Sequence, residues 1–296
     1  NYVLAERMNL LGYALEHYQD GLLFFYFSST DLQAHMFWWD SDEKHPIRSP
    51  DDAKKYYGVL AELYGKMDAV VGDVLKRYGD KATILVMSDH GFCNFRRQFH
   101  LNTWLRDNGY LGPPDCETLL YDPGRPHKVL VDWTRTRAYG LGINSLYLNL
   151  RGRERDGIVD PAERDVLLEE LRAKLLAVRD PLDGQPAISE VHRGDQAYAG
   201  PLVHRAPDLI IGYRRGYRSS WDTALGGIAA EVFSDNKEAW SADHCMATGE
   251  LPGVVFSNRP ILHEQPALID LAPTILEEFG LTPPRTMVGR SLFKSA

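Results

Sequence analysis

Apolar positions recur at helical spacing in four stretches of the chain. They predict helices over residues 2–18, 50–78, 160–178 and 271–279. Ser49 and Asp160 each stand directly in front of a proline, which is a typical helix start. Gly79 and Gly280 follow the second and fourth stretches, and glycine is the usual residue after a helix end. The predicted helices therefore have recognisable boundaries as well as apolar faces.

Other apolar runs show no alternation with polar residues and are too short for helices. The two clearest, residues 22–27 and 82–87, read as strands that are covered on both faces. Shorter runs at residues 146–150, 208–212 and 253–256 predict further strands. A strand, a helix and a second strand in this order form a βαβ unit, which implies parallel pairing.

The order of elements predicts an α/β fold with a mainly parallel central sheet flanked by helices. Residues 93–205 are less regular and rich in Pro, Gly and Arg, so we expect an irregular insertion or cap there. The whole chain, residues 1–296, is predicted to be a single catalytic domain.

Composition excludes several classes of protein. The chain has 33 Lys and Arg residues against 41 Asp and Glu residues, a formal net charge of −8. This acidic balance argues against nucleic acid as the main partner, since phosphate binding favours a basic surface. The chain is 44% hydrophobic and 11% aromatic, which is too apolar for a disordered protein. No apolar run approaches the roughly 20 residues of a membrane span.

Asp and His residues cluster beside the predicted strands. Asp31 and His35 follow residues 22–27, and four positions apart on a helix they share one face. Asp89 and His90 follow residues 82–87, and His244 precedes residues 253–256. Carboxylate and imidazole ligands without thiolate suit Zn, Mn or Fe. Two such sites about 4 Å apart can clamp the attacking and leaving oxygens of a phosphoryl transfer.

Structural explanations exist for each of these residues alone. An Asp after a strand often caps a helix, and a lone His is often a satisfied core residue. The occurrence of two Asp–His pairs, each at the end of a predicted strand, favours a metal site. Arg96 and Arg97 lie close to the second pair and are candidate substrate contacts. Five further arginines are interleaved with aromatic residues. They could grip a phosphate or carboxylate, but a solvated surface on which they stack against the aromatic rings is the favoured interpretation. They are Arg135, Arg137, Arg214, Arg215 and Arg218.

Seven stretches together resemble the alkaline phosphatase superfamily, in particular its type I phosphodiesterase/nucleotide pyrophosphatase branch. The chain looks most like the predicted phosphohydrolase/phosphomutase members. The matching stretches are residues 24–38, 86–92, 102–105, 131–140, 206–213, 243–254 and 270–276. They follow the family order along nearly the whole chain.

The resemblance implies roles for the candidate residues. Asp31, His35 and His244 would bind one divalent metal ion, and Asp89 and His90 the other. Zinc is the expected metal and manganese the alternative. The family's Thr or Ser nucleophile and a further Asp lie on segments with no match here, so no catalytic nucleophile is assigned in this chain. We therefore expect the chain to be the C-terminal portion of the domain, with the N-terminal part missing.

The implied function is metal-dependent phosphoryl-transfer hydrolysis of a phosphate mono- or diester by a two-metal mechanism. The expected partner is a small phosphorylated substrate. A phosphomutase is the alternative within enzymology, and a non-catalytic metal-binding or interaction protein is the alternative outside it. Any targeting signal would lie upstream of Asn1, so the sequence leaves localisation open, as it does the oligomeric state.

Overall fold

A computed structural model of the chain describes residues 2–112 and 131–294. The chain divides into two compact units, each with its own internal contacts. Among the described residues, the first unit comprises residues 2–58, 92–112 and 131–251, and the second comprises residues 59–91 and 252–294. The candidate residues are divided between them, because Asp89 and His90 belong to the second unit.

Helices and short strands alternate along the described residues. The helices are α1 (Tyr2–His17), α2 (Ser29–Phe37), α3 (Pro50–Tyr56), α4 (Val59–Tyr78), α5 (Leu101–Asp107), α6 (Arg164–Leu176), α7 (Gly194–Ala197), α8 (Trp221–Ala224) and α9 (Leu271–Glu278). The strands are β1 (Leu85–Met87), β2 (Cys93–Phe99), β3 (Ala138–Gly140), β4 (Ser145–Leu148), β5 (Ile188–Arg193), β6 (Leu209–Tyr213), β7 (Gly216–Ser219), β8 (Phe233–Asp235), β9 (Ala242–Asp243) and β10 (Val255–Ser257). The mixture confirms the α/β class.

The predicted helix starts rest on side-chain hydrogen bonds. The Asp160 carboxylate accepts the Ala162 backbone N–H at 2.9 Å and opens a 3₁₀ turn that leads into α6. The Ser49 hydroxyl accepts the Asp52 N–H at 3.1 Å at the start of α3. The single helix expected over residues 50–78 is two helices, because the chain turns at Gly58, whose φ of +79° suits glycine.

An antiparallel sheet and one helix form the main core of the first unit. The strand order is β3-β4-β6-β5, and each neighbouring pair is antiparallel. Leucines along one face of α6 belong to the same apolar core as the inward residues of β4 and β6. The fully buried members from α6 are Leu167, Leu168, Leu171 and Leu175. This core accounts for the regular part of the first unit.

A second sheet of the first unit organises the candidate site. β2 pairs with β7 in parallel and with β8 and β9 in antiparallel. In the register of the last pair, Cys93 lies opposite Asp243 and Asn94 opposite Ala242. β9 is therefore held along β2 immediately before His244.

The second unit contains a two-stranded sheet and the helices α4 and α9. β1 pairs antiparallel with β10, with Val86 opposite Phe256. The Asn258 side chain continues this connection, since its oxygen accepts the Ile84 N–H at 2.8 Å and its amide donates to the Gly79 and Ala82 carbonyls. Asp89 and His90 follow β1 directly.

The expectation of a mainly parallel sheet is not confirmed. Among the strands of the described residues, only β2 and β7 pair in parallel. β1 pairs antiparallel with β10, which comes from much later in the chain. Residues 22–27 form no strand, and Leu22, Phe24 and Tyr26 are 61%, 74% and 57% exposed. An apolar run becomes a buried strand only beside a pairing strand and a covering layer, and the described residues provide neither for this segment.

The domain assignments stay predictions. The described part of residues 93–205 supplies β2 to β5 with α6, and β4 and β5 pair with β6, which follows that region. Residues 113–130 of the predicted insertion lie outside the described residues. None of the helices in the described part of the chain combines the length and apolar character needed to cross a membrane.

Truncating a buried leucine of α6 tests the assignment of the core. Leu171→Ala should lower the free energy of unfolding by about 2–5 kcal/mol, because the lost contacts leave a cavity. Val166→Ala on the same helix is the control. Val166 is 74% exposed, so its truncation should change stability by less than about 0.5 kcal/mol. Urea unfolding measures both, and equal losses would contradict the packing described here.

Candidate metal centre

Helix α2 brings Asp31 and His35 together. The two residues lie one helical turn apart, and Asp31 Oδ1 is 3.6 Å from His35 Nε2. The His35 side chain is almost completely buried, whereas Asp31 is partly accessible. The four-residue spacing in the sequence thus places a carboxylate and an imidazole on one face of the helix, as predicted.

His244 completes a group of three possible ligands in the first unit. Its Nε2 lies 3.6 Å from Asp31 Oδ1, and its ring centroid lies 5.2 Å from that of His35. One ligand atom from each of Asp31, His35 and His244 falls within 4.8 Å of the others. We call Asp31, His35 and His244 the three-ligand cluster.

The distances within the three-ligand cluster fit a shared metal ion. A separation of 3.6 Å is too long for a hydrogen bond between nitrogen and oxygen. Two ligand atoms at about 2.0–2.2 Å from one zinc ion, at a tetrahedral angle, lie about 3.3–3.6 Å apart. Two imidazole nitrogens and a carboxylate oxygen are also a donor set that zinc and manganese accept.

His35 is oriented by contacts on three sides of its ring. The Nδ1–H donates to the Ala242 carbonyl oxygen at 2.7 Å, which leaves Nε2 with a lone pair toward Asp31. The ring stacks on Trp240 with centroids 3.6 Å apart and meets the edge of Phe92 at 4.6 Å. A histidine that donates its other ring N–H to a carbonyl is a common arrangement of metal ligands.

His244 is oriented by the carboxylate that precedes it. Asp243 Oδ1 accepts the backbone N–H groups of His244 at 2.7 Å and Cys245 at 3.0 Å. Burial tends to raise the pKa of Asp243, but the Arg218 charge and the hydrogen bond from Trp240 outweigh it and hold that pKa below its usual value. The turn that carries His244 is thus built around a buried, charged carboxylate.

Cys245 is a poor candidate ligand despite its position. Asp243, His244 and Cys245 also form a compact group of potential ligand atoms. Burial, and next the neighbouring Asp243 charge, raise the pKa of the Cys245 thiol to about 12. Without a bound ion the thiol is therefore protonated at neutral pH, and the Asp243 carboxylate of this second group is already engaged by Arg218 and Trp240. This leaves the three-ligand cluster as the better candidate.

Asp89 and His90 contact each other within the second unit. Asp89 Oδ1 lies 3.6 Å from His90 Nε2, and His90 Nδ1–H donates to the Gly91 carbonyl at 2.9 Å. Both side chains retain solvent access. Their assignment to a second metal ion stays a prediction.

The two candidate substrate arginines are engaged with carboxylates of the chain itself. Arg96 binds both oxygens of Asp42. Arg97 binds both oxygens of Asp180, at 2.7 and 2.9 Å, and also contacts Asp235. These pairs give both guanidinium groups a structural role, and substrate contact by either one stays a prediction.

Sequence reasoning missed the position of Arg218. It was expected on a solvated surface, but its side chain is completely buried. Its Nε lies 3.2 Å from Asp243 Oδ2, and its guanidinium stacks over the Trp221 ring at 4.0 Å. Arg218 stacks on Trp221 and Phe95 rather than on the tyrosines that stand beside it in the sequence, and such a local pattern carries no information on burial.

Comparison with known proteins identifies one matching family. A family model described as "Type I phosphodiesterase / nucleotide pyrophosphatase" matches residues 4–227, about three quarters of the chain. The matched region contains Asp31, His35, Asp89 and His90 and ends before His244. No curated protein matches the chain.

Zinc should stabilise the folded protein through the three-ligand cluster. At a zinc concentration about 100 times the dissociation constant, binding should add about 2.7 kcal/mol and raise the thermal midpoint by about 5–10 °C. His244→Ala should abolish most of this shift. His204→Ala replaces an exposed histidine of the same unit and should leave the shift intact. Differential scanning calorimetry with and without zinc measures the shifts, and an equal loss in both variants would exclude a specific role for His244.

Proposed function

Because the chain belongs to the type I phosphodiesterase/nucleotide pyrophosphatase family of the alkaline phosphatase superfamily, we propose that it is a metal-dependent phosphoryl-transfer hydrolase. Its substrate would be a small phosphate mono- or diester. The observation that carries the metal dependence is the three-ligand cluster, in which ligand atoms that come from distant parts of the sequence lie within 4.8 Å of one another.

Asp31, His35 and His244 would hold one divalent ion, zinc or manganese. Asp89 and His90 would hold a second ion. A bound ion of this kind supplies a Lewis acid for the phosphoryl oxygen and a lowered pKa for a bound hydroxyl or water. The donor set supports this choice, because the cluster offers imidazole nitrogen and carboxylate oxygen without thiolate.

The residues of the chain prepare the site in three ways. The Ala242 carbonyl holds the His35 ring in the tautomer whose Nε2 can bind a metal. The Asp31 carboxylate contributes a negative charge that offsets part of the charge of a divalent ion. The Trp240 ring stacks on the buried His35 ring and the Phe92 ring packs against it at a steep angle, and each excludes water from the surface that it covers.

No hydroxyl among the described residues is assigned as the nucleophile. The resemblance implies a Thr or Ser hydroxyl in this role, and that expectation stays a prediction. Thr30, next to Asp31, donates its hydroxyl to the Phe27 carbonyl at 3.1 Å.

The proposed activity can be tested on aryl phosphates. The full-length protein should hydrolyse p-nitrophenyl phosphate or bis(p-nitrophenyl) phosphate, lose this activity in chelator and regain it with zinc or manganese. Asp31→Asn should lower kcat/KM by at least about 100-fold, the upper range for residues that merely orient a metal ligand. Asp51→Asn, an exposed carboxylate at the start of α3, is the matched control and should leave kcat/KM unchanged.

Three outcomes would distinguish the alternatives. Release of inorganic phosphate or a phosphate monoester in water identifies a hydrolase. Transfer of phosphate to a second hydroxyl of a phosphorylated sugar or glycerate, without net release, identifies a mutase. A full-length protein that binds metal but turns over neither ester class would contradict the proposed activity.

A further inference from the structure

A fully buried arginine lies next to the candidate metal centre without belonging to it. The Arg218 side chain is 0% exposed. Its guanidinium carbon lies over the Trp221 ring, 4.0 Å from the ring centroid, and over the Phe95 ring, 5.0 Å from the ring centroid. Its nitrogens make no hydrogen bond of good geometry within the part of the chain that the structure describes. Among the described residues, its ion-pair partner is Asp243, whose Oδ2 lies 3.2 Å from Arg218 Nε. Burial of such a group is costly unless it is paired.

The partner of Arg218 contacts both histidines of the three-ligand cluster, directly or through one residue. Asp243 Oδ1 accepts the backbone N–H of His244. Asp243 Oδ2 accepts the indole N–H of Trp240 at 2.8 Å, and the Trp240 ring stacks on His35. One carboxylate therefore fixes the backbone of one histidine and the aromatic support of the other.

We propose that Arg218 and Asp243 form a positioning pair for the metal centre, in which Arg218 holds the Asp243 carboxylate so that His244 and the Trp240–His35 stack keep their ligand geometry. This inference rests on the metal site of the proposed function. Neither residue of the pair is a member of the three-ligand cluster.

The Arg218–Asp243 pair is better explained by the orientation of its neighbours than by a contribution to the stability of the fold. A buried ion pair is weak evidence for stability, since the loss of hydration of both charges offsets their attraction and an apolar pair of similar volume often serves as well. What an apolar pair could not do is accept three N–H groups at defined angles. The three donors come from Trp240, His244 and Cys245, which all lie within the segment of residues 240–245 that delivers His244.

Metal affinity and the ligand field test the positioning pair without reference to activity. Zinc affinity is measured by competition with a chelating indicator, and the cobalt-substituted protein reports ligand geometry through its visible absorption bands. Arg218→Met and the double variant Arg218→Met/Asp243→Asn should each bind zinc about 10–100-fold more weakly and shift the cobalt bands. Arg218→Lys, which keeps the charge, should recover part of the affinity.

Asp180→Asn is the matched control. Asp180 is a buried carboxylate of the same unit, and it pairs with Arg97 rather than with a residue of the three-ligand cluster. Its replacement should lower the free energy of unfolding but leave zinc affinity and the cobalt spectrum unchanged. This control separates a loss of stability from a loss of ligand geometry.

The outcomes separate the positioning role from the proposed function. Weaker zinc binding with shifted cobalt bands, confined to the Arg218 and Asp243 variants, supports the positioning pair. Wild-type affinity and an unchanged spectrum in the double variant would overturn it and leave the metal site standing. Should Arg218→Met fail to fold, the double variant, which leaves no unpaired buried charge, and Arg218→Lys decide the question. Absence of zinc binding by the wild-type protein would overturn both proposals.

Discussion

The hydrogen bond from His35 Nδ1 to the Ala242 carbonyl oxygen joins parts of the chain that are 207 positions apart. The same contact is reinforced from the other side, because the Ser241 N–H and hydroxyl both donate to the His35 carbonyl, at 2.7 and 3.0 Å. Helix α2 is thereby attached to β9, and β9 is attached to β2 by its strand pairing. The three-ligand cluster depends on this attachment, because α2 supplies two of its members and the residue after β9 supplies the third.

The Asp243 carboxylate, which is not a member of the three-ligand cluster, binds the charged and N–H groups that lie next to the cluster. Asp243 lies between the positive charge of Arg218 and three N–H donors from residues 240–245. Its burial would favour the neutral acid, and the surrounding donors and charge favour the anion instead. The three possible ligands, the rings that support His35 and this carboxylate all lie in the first unit.

Local features of the fold were predictable from the sequence, whereas strand pairing was not. Asp160 and Ser49 open helices with the capping bonds that their patterns indicate. Asp31 and His35 meet because helical spacing alone puts them on one face. His244 lies beside them, and the shared metal ion that the family resemblance implies for these three residues stays a prediction. Residues 22–27 were misread because the strand state depends on a partner that an apolar run cannot specify. The burial of Arg218 was missed for a related reason, since its compensating charge lies 25 positions away in Asp243.

Anomalous diffraction from zinc-grown crystals would test the metal centre most directly. Data collected on both sides of the zinc absorption edge should show an anomalous peak about 2.0–2.2 Å from His35 Nε2, His244 Nε2 and a carboxylate oxygen of Asp31. A peak at other residues, with none between these three, would contradict the assignment of the three-ligand cluster as the metal centre.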